Sequence, residues 1–191
     1  MDRTIYLIRH GKTKGNLEKR YIGTTDESLC GIGIEEIESR AYPAVDMVFA
    51  SPMKRCIETA DLIYPHMALS IIDELRETDF GQFEGKNYQD LEDDKAYEAW
   101  LETGGMGGFP GGESQQVVNI RTIVGFNKLL AESDGVKTVA AIVHGGTIMS
   151  LLSTLFGGEY YNYHVENGKG YSFDISSYGA CSSLTARSFD R

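Results

Sequence analysis

Three short apolar runs, each stopped by a polar turn and followed by a segment of helical periodicity, constrain the fold of this chain most. Residues 4–8 form the first run, which ends before Gly11, and residues 45–50 and 139–143 form two more. Runs of this length with so little polar interruption read as strands buried on both faces. Residues 69–72, 171–175 and 183–187 read as further, weaker strands. Residues 32–41 put Ile34 and Ile37 on one helical face with Ala41 four positions on, and Pro43 is expected to end that helix. Ser51 suits an N-cap and Pro52 the first helical position, so a helix is expected to start there and to run through Met53, Ile57, Ala60, Leu62 and Ile63. Residues 114–132 are periodic through Val117, Ile120, Val124 and Leu129, and residues 145–156 read as a helix after a glycine turn. Residues 87–102 are helical in pattern but acidic, and residues 74–86 read as a loop. Strands that alternate with helices imply an α/β fold, a three-layer sandwich with a largely parallel central sheet flanked by helices. The 191 residues suit a single domain, 1–191, with a variable helical and glycine-rich insert at about 86–113.

Composition narrows the partners. A formal net charge of -10 repels nucleic acid and anionic membranes unless a basic patch is concentrated locally. No apolar run approaches the roughly 20 residues that cross a bilayer, and the first residues do not have the pattern of a signal peptide. The expectation is a cytoplasmic protein, monomer or homodimer, with no nucleic-acid or membrane partner. The three cysteines, Cys30, Cys56 and Cys181, are too few and too scattered for a disulfide framework or a cysteine zinc site, and are expected as buried thiols. No His-Glu-x-x-His and no tight carboxylate pair points to a metal.

In a parallel sheet, ligands bind beyond the carboxyl ends of the strands. The residues there are Arg9-His10-Gly11, Ser51-Pro52 with Arg55 nearby, and His144-Gly145-Gly146. Each of these histidines ends an apolar strand and precedes glycine, so its ring can face a ligand without a crowded turn behind it. A neutral imidazole is a competent nucleophile toward phosphorus. Arg9 can fork two phosphate oxygens, Asn16 can offer an amide donor, and Arg55 can reach back across the strand ends.

These residues sit in a longer pattern. The run Leu7-Ile8-Arg9-His10-Gly11-Lys12-Thr13-Lys14-Gly15-Asn16 resembles the signature of the histidine phosphatase, or phosphoglycerate-mutase-like, family. Further blocks follow in family order: Tyr21-Ile22-Gly23 with Asp26, Leu29 and Gly33; Ser51-Pro52-Met53-Lys54-Arg55 with Thr59-Ala60; and Leu75-Arg76-Glu77 with Phe80-Gly81 and Glu84-Gly85. The last two are Pro110-Gly111-Gly112-Glu113-Ser114 with Arg121, and Val143-His144-Gly145-Gly146. The resemblance implies that His10 becomes phosphohistidine and that Glu77 is the proton donor. It implies that Arg9, Arg55, Asn16 and His144 hold the phosphoryl group, with Gly145 and Thr25 among the substrate contacts. It implies no cofactor and no metal. Two arginines beside His10 would disfavour its protonation.

The same resemblance covers phosphatases and cofactor-dependent mutases. The insert from Asp90 to Gly112 carries one lysine, Lys95, among several acids, and this repels a multiply charged substrate. A phosphatase acting on a small phosphorylated metabolite is therefore expected, with α-ribazole 5′-phosphate, sugar phosphates and phosphoserine as candidates. A phosphoglycerate mutase and a non-catalytic phospho-ligand binder are the alternatives. The glycine run 104–112 is read as a cover over the site, in preference to a phosphate-cradling loop. The cluster Tyr160, Tyr161 and Tyr163 either lines a pocket or packs in the core. His66 and His164 are expected to be structural or superficial. Lys12 is expected to favour anion binding, and Cys30 to be a weak helix cap.

Overall fold

The computed structural model describes residues 2–176 and 179–190. Strand β1 (Arg3–Arg9) lies inside a six-stranded sheet, parallel to β4 (Thr138–Val143) and antiparallel to β5 (Gly170–Ile175). With β2 (Met47–Ala50), β3 (Leu69–Ile71) and β6 (Cys181–Arg187), the order is β3-β2-β4-β1-β5-β6. The four strands from β3 to β1 are parallel, and the closing pairs β1–β5 and β5–β6 are antiparallel. Arg9 stands opposite Val143, and Ala50 opposite Ile142. The three central strands therefore end nearly level, which brings His10, Ser51 and His144 to one edge.

Side-chain alternation explains why the central runs are almost wholly apolar. Ile5, Leu7, Phe49, Val139, Ala141 and Val143 pack beneath α5 (Gln115–Glu132) and α6 (Gly145–Phe156). Ile8, Val48, Ala50, Ala140 and Ile142 pack on α3 (Lys54–Ile63), which is joined by α2 (Gly31–Glu38). Both faces are covered, so no solvent-facing row interrupts the pattern. The short helix α1 (Lys14–Leu17) follows β1. Apart from these layers, Phe83, Leu91, Tyr97 and Trp100 form a small core of their own, with Tyr21, Phe80 and Phe109 against it. Helix α4 (Lys95–Glu102) supplies two of those rings.

Several boundaries differ from the sequence expectation. Helix α2 stops at Glu38, short of Pro43, and Ala41 is exposed. Cys30 is its N-cap and makes no side-chain cap bond. Helix α3 begins at Lys54, with Met53 as N-cap. Ser51 lies before it, where its hydroxyl accepts from Met53 N at 3.4 Å and lies 2.7 Å from His144 Nε2. Residues 87–94 are turns, and α4 starts only after the Asp94 cap. Of the cysteines, Cys56 alone is fully buried, while Cys30 and Cys181 are partly exposed.

Helix α5 has the expected length and its Ser114 cap, but of its periodic apolar positions Leu129 alone is buried. Val117, Ile120 and Val124 are exposed, and Val118, Thr122, Gly125, Phe126 and Leu129 face inward. Gly125 lets the helix press onto the 73–75 turn, since a Cβ there would lie 2.9 Å from Leu75 Cδ2. Among the described residues, no helix is long and apolar enough to cross a membrane. Leu129→Ala should cost about 2–5 kcal/mol in urea unfolding. Ile120→Ala should stay within about 0.5 kcal/mol. Equal losses at the two positions would contradict the buried face assigned to α5.

Candidate active site

At the shared strand edge, His10 follows β1 and is almost fully buried. Its Nδ1 lies 2.7 Å from the Gly11 carbonyl oxygen, which only accepts, so Nδ1 carries the proton. That leaves the Nε2 lone pair for the cavity. Asn167 Nδ2 donates to the His10 carbonyl at 3.0 Å and fixes the turn from behind. The His10 and His144 ring centroids are 5.2 Å apart, edge to face. His144 caps α6 and is bonded through both ring nitrogens. Arg55 Nε donates to its Nδ1 at 3.3 Å, and its Nε2–H donates to Ser51 Oγ at 2.7 Å. Cys56 Sγ lies 3.5 Å from the same Nε2.

Arg55, in the first turn of α3, is fully buried. Its guanidinium donates to the carbonyls of Thr25 (2.9 Å), Gly23 (3.0 Å) and Ile22 (3.4 Å). Arg9 donates through Nη1 to the Val165 carbonyl at 2.6 Å, while its buried Nε has no partner among the described residues. Asn16 is oriented by a capping box. Thr13 N donates to Asn16 Oδ1 at 3.1 Å and Asn16 N to Thr13 Oγ1 at 3.3 Å. Asn167 Nδ2 also donates to Asn16 Oδ1, so the free end of the amide is its NH2 group.

Glu77 is 8% exposed rather than solvated, although it lies in a polar run. Its Oε1 accepts from Thr78 N at 2.8 Å, and its Oε2 from Gly146 N at 3.4 Å. Gly146 permits this approach, because a Cβ there would stand 2.4 Å from Glu77 Oε1. Arg121 holds the segment from below. It donates to the carbonyls of Glu74, Arg76 and Glu77 and is clamped by both carboxylate oxygens of Glu113. Glu113 in turn accepts from Asp79 N at 3.0 Å.

A cavity of about 280 Å³ opens onto this edge. Of the residues expected from the sequence, Arg9, His10, Asn16, Glu77 and Gly145 line it. Arg55 and His144 do not form its wall; they lie behind His10 with no exposed surface. Thr25 does not line it either. Its side chain is exposed, and its carbonyl serves Arg55. Lys12 is also outside, since its ammonium is paired with Glu36 at 2.5 Å. Tyr160 and Tyr161 are on the wall, whereas Tyr163 packs against the main core. His164 is exposed but is part of the wall as well. Gly105 and Phe109 bring the glycine run to the cavity as a side of it. Arg20, Trp100 and Asn167 escaped the sequence reading because each comes from a segment with no signal of its own.

A family model described as the histidine phosphatase superfamily (branch 1) matches residues 5–183. The chain belongs to this superfamily. The adenosylcobalamin/α-ribazole phosphatase of Escherichia coli K12 is 28% identical over 183 residues, which cover 90% of each chain. The phosphoserine phosphatase of Entamoeba histolytica, solved with 3-phosphoglyceric acid, superposes with a TM-score of 0.81 at 26% identity, covering 97% of both chains. A phosphoglycerate mutase of Thermus thermophilus superposes with a TM-score of 0.71 at 28% identity, covering 98% of this chain and 99% of the other.

In this histidine phosphatase both buried imidazoles are held neutral. Burial is the main cause at His10, with Arg55 and Arg9 adding to it, and its pKa falls well below 6.5. The sequence reading credited the arginines alone. His144 moves the same way, through burial first and then Arg55 and His10. Burial also lowers Arg9, against the opposing pull of Glu77, and raises the Cys56 thiol.

A stability window follows from these shifts. The unfolded chain takes up protons at both histidines near 6.5, and the folded chain does not. Stability is therefore complete above that pH and falls below it, by about 1.4 kcal/mol per pH unit for each histidine. Tm should be flat from pH 8 to 7 and drop between 6.5 and 5. The drop should be shallower in His144→Asn. An unaltered slope in that variant would show that His144 is not held neutral.

Proposed function

We propose that the chain hydrolyses small phosphate monoesters through a phosphohistidine on His10. The observation that carries the reading is the neutral His10 ring, with Nδ1–H committed to Gly11 and Nε2 left over, placed between Arg9 and Glu77 at one cavity. His10 Nε2 attacks phosphorus, and the ester P–O bond breaks. Glu77 gives its proton to the departing alkoxide oxygen. Water then attacks the phosphoryl group, Glu77 takes a proton from it, and the P–N bond breaks to release inorganic phosphate. Arg9 and the Asn16 amide meet the phosphoryl oxygens at the wall. Gly145 adds room there, since even a Cβ would come within 3.3 Å of the Arg9 guanidinium. Arg55 and His144 act from behind the His10 ring, where their field favours negative charge on the transferring group. Thr25 contributes through the carbonyl that positions Arg55. In this proposal the arginines supply the positive charge, with no metal or cofactor. The protein works as one domain in the cytoplasm, as monomer or homodimer, on a phosphorylated metabolite. The substrates named for its relatives, α-ribazole phosphate and phosphoserine, are the first to try. The acidic insert places a mutase second, and conversion of 3-phosphoglycerate to its 2-isomer faster than phosphate release would reverse that order.

His10→Ala should abolish turnover of p-nitrophenyl phosphate and any acid-labile phosphoprotein trapped during it; retained turnover would sink the nucleophile assignment. The role of Glu77 is separable by leaving group. Glu77→Gln should cost about 10²–10⁴-fold on ethyl phosphate, whose alkoxide needs a proton. It should cost far less on p-nitrophenyl phosphate, whose phenolate does not. Arg121→Lys, which loosens the Glu77 segment, should show a milder form of the same asymmetry. Equal losses on the two substrates would assign Glu77 and Arg121 to folding instead.

A further inference from the structure

Beyond the residues that face the phosphoryl group, the cavity changes character. Its wall there includes Tyr21, Phe80, Trp100 and Phe109, together with Tyr160 and Tyr161. The first four are not loose surface rings. Tyr21 and Phe80 meet edge to face at 5.3 Å, Phe80 and Phe109 at 5.0 Å, and Trp100 lies 5.3 Å from Phe109. Trp100 is further fixed by donating from its indole nitrogen to the Gly107 carbonyl at 3.2 Å. Gly105 allows Tyr161 to close on this wall, because a Cβ there would lie 2.5 Å from the Tyr161 hydroxyl and 3.2 Å from the indole ring. That hydroxyl donates to the Gly105 carbonyl at 3.1 Å. The glycine run and the tyrosine cluster therefore have one joint product, a rigid aromatic slot beside the phosphoryl position.

Charge decides what the slot takes. An anionic leaving group would need a free cation, and beyond Arg9 the wall offers Arg20 and His164, whose ring is held toward its neutral form by desolvation and by Arg9. The Arg20 guanidinium is already held by Glu18 and Asp90, each at 2.6 Å. A cationic leaving group, which aromatic rings could otherwise attract, would face Arg9. The one carboxylate on the wall among the described residues, Glu77, is turned to backbone donors at the phosphoryl end. An uncharged flat ring meets neither obstacle, and aromatic faces and edges are its natural partners. A volume near 280 Å³ is at the small end for ligand sites, so it suits a phosphoryl group and one mono- or bicyclic ring.

We propose that this slot is a leaving-group subsite for an uncharged aromatic ring, so that the enzyme selects phosphate monoesters of ring-bearing alcohols over carboxylated or ammonium-bearing ones. The inference rests on the phosphatase reading above and deepens it.

The test compares 2-phenylethyl phosphate with ethyl phosphate, whose alkoxides leave with similar difficulty, and with 3-phosphoglycerate and phosphocholine. The aromatic ester should have a kcat/KM at least tenfold above each of the others, with the difference mainly in KM. Phe109→Ala and, independently, Tyr161→Ala should shrink the phenylethyl-to-ethyl ratio at least fivefold. Preference for 3-phosphoglycerate or phosphocholine, or a ratio that both variants leave intact, would overturn the subsite while leaving the phosphatase reading standing. Trp100 is the single tryptophan of the chain, so its fluorescence reads the slot without turnover. In His10→Ala, 2-phenylethyl phosphate should change that emission at concentrations where ethyl phosphate does not. If no ester is hydrolysed by the unmodified enzyme, the phosphatase reading fails. The fluorescence titration then decides the subsite alone, and equal responses to the two esters would overturn it.

Discussion

Burial of the Arg55 guanidinium is the constraint on which the rest of the site depends. A fully buried cation costs several kcal/mol in lost hydration even after relaxation. Here it is met by three backbone carbonyls and an imidazole nitrogen, with no carboxylate among its bonded partners. Those carbonyls belong to residues 22–25, a stretch without regular structure whose amides are held by Glu84, which accepts from Gly23 N and Thr25 N, each at 2.9 Å. Arg55 thus ties that stretch to the start of α3 and sets the orientation of His144. Among the described residues no ion pair is formed with Arg55, so its positive field favours an anion at this edge of a chain with a formal net charge of -10.

The sheet edge was legible in the sequence because the strands that form it are buried on both faces. Their runs are nearly free of polar residues, and each ends in a turn that the following glycine or proline makes plain. Arg9, His10 and His144 could be placed from that pattern alone. Helix α5 was misread for the opposite reason. Its buried face includes Thr122 and Gly125, and the small residue is there because the helix backbone approaches Leu75 closely. Periodicity counts large apolar residues, so the face with Val117, Ile120 and Val124 looked like the core side. Ser51 shows a second limit. Its hydroxyl accepts from Met53 N, as its type and position suggest, but it also receives the Nε2–H of a histidine 93 residues away, and local sequence does not report such a partner. For Tyr160 and Tyr161 the sequence allows a pocket or the core, but their meeting with Tyr21, Phe80 and Trp100 is not legible in it, because these rings come from separate segments.

The molecule divides its labour along the same line. In the proposed mechanism, most residues assigned to the phosphoryl group sit at the ends of strands or in the first turns of helices that follow them, while Glu77 follows the 73–75 turn. The rings of the proposed slot come from elsewhere: Trp100 and Phe109 from the insert, Tyr160 and Tyr161 from the turn after α6, and Tyr21 and Phe80 from segments outside both, with all but Tyr160 and Tyr161 belonging to a small aromatic core of their own. On that proposal, a change in the insert alters the leaving group accepted without disturbing the strand edge. The Glu113–Arg121 clamp is where the two parts meet. It joins the end of the insert to α5 and, through three carbonyls, to the segment that carries Glu77.

The two histidines look interchangeable in sequence, each a strand end followed by glycine, yet their hydrogen bonds make them different reagents. His144 has a donor on one ring nitrogen and an acceptor on the other, so neither lone pair nor proton is free. His10 spends its only ring proton on Gly11 and keeps a lone pair. Reversing the roles would require Arg55 to release His144, which would leave a buried guanidinium short of an acceptor. The assignment of His10 as nucleophile therefore has support that is independent of the family pattern: of the two rings, it is the one that this network leaves able to form a new bond.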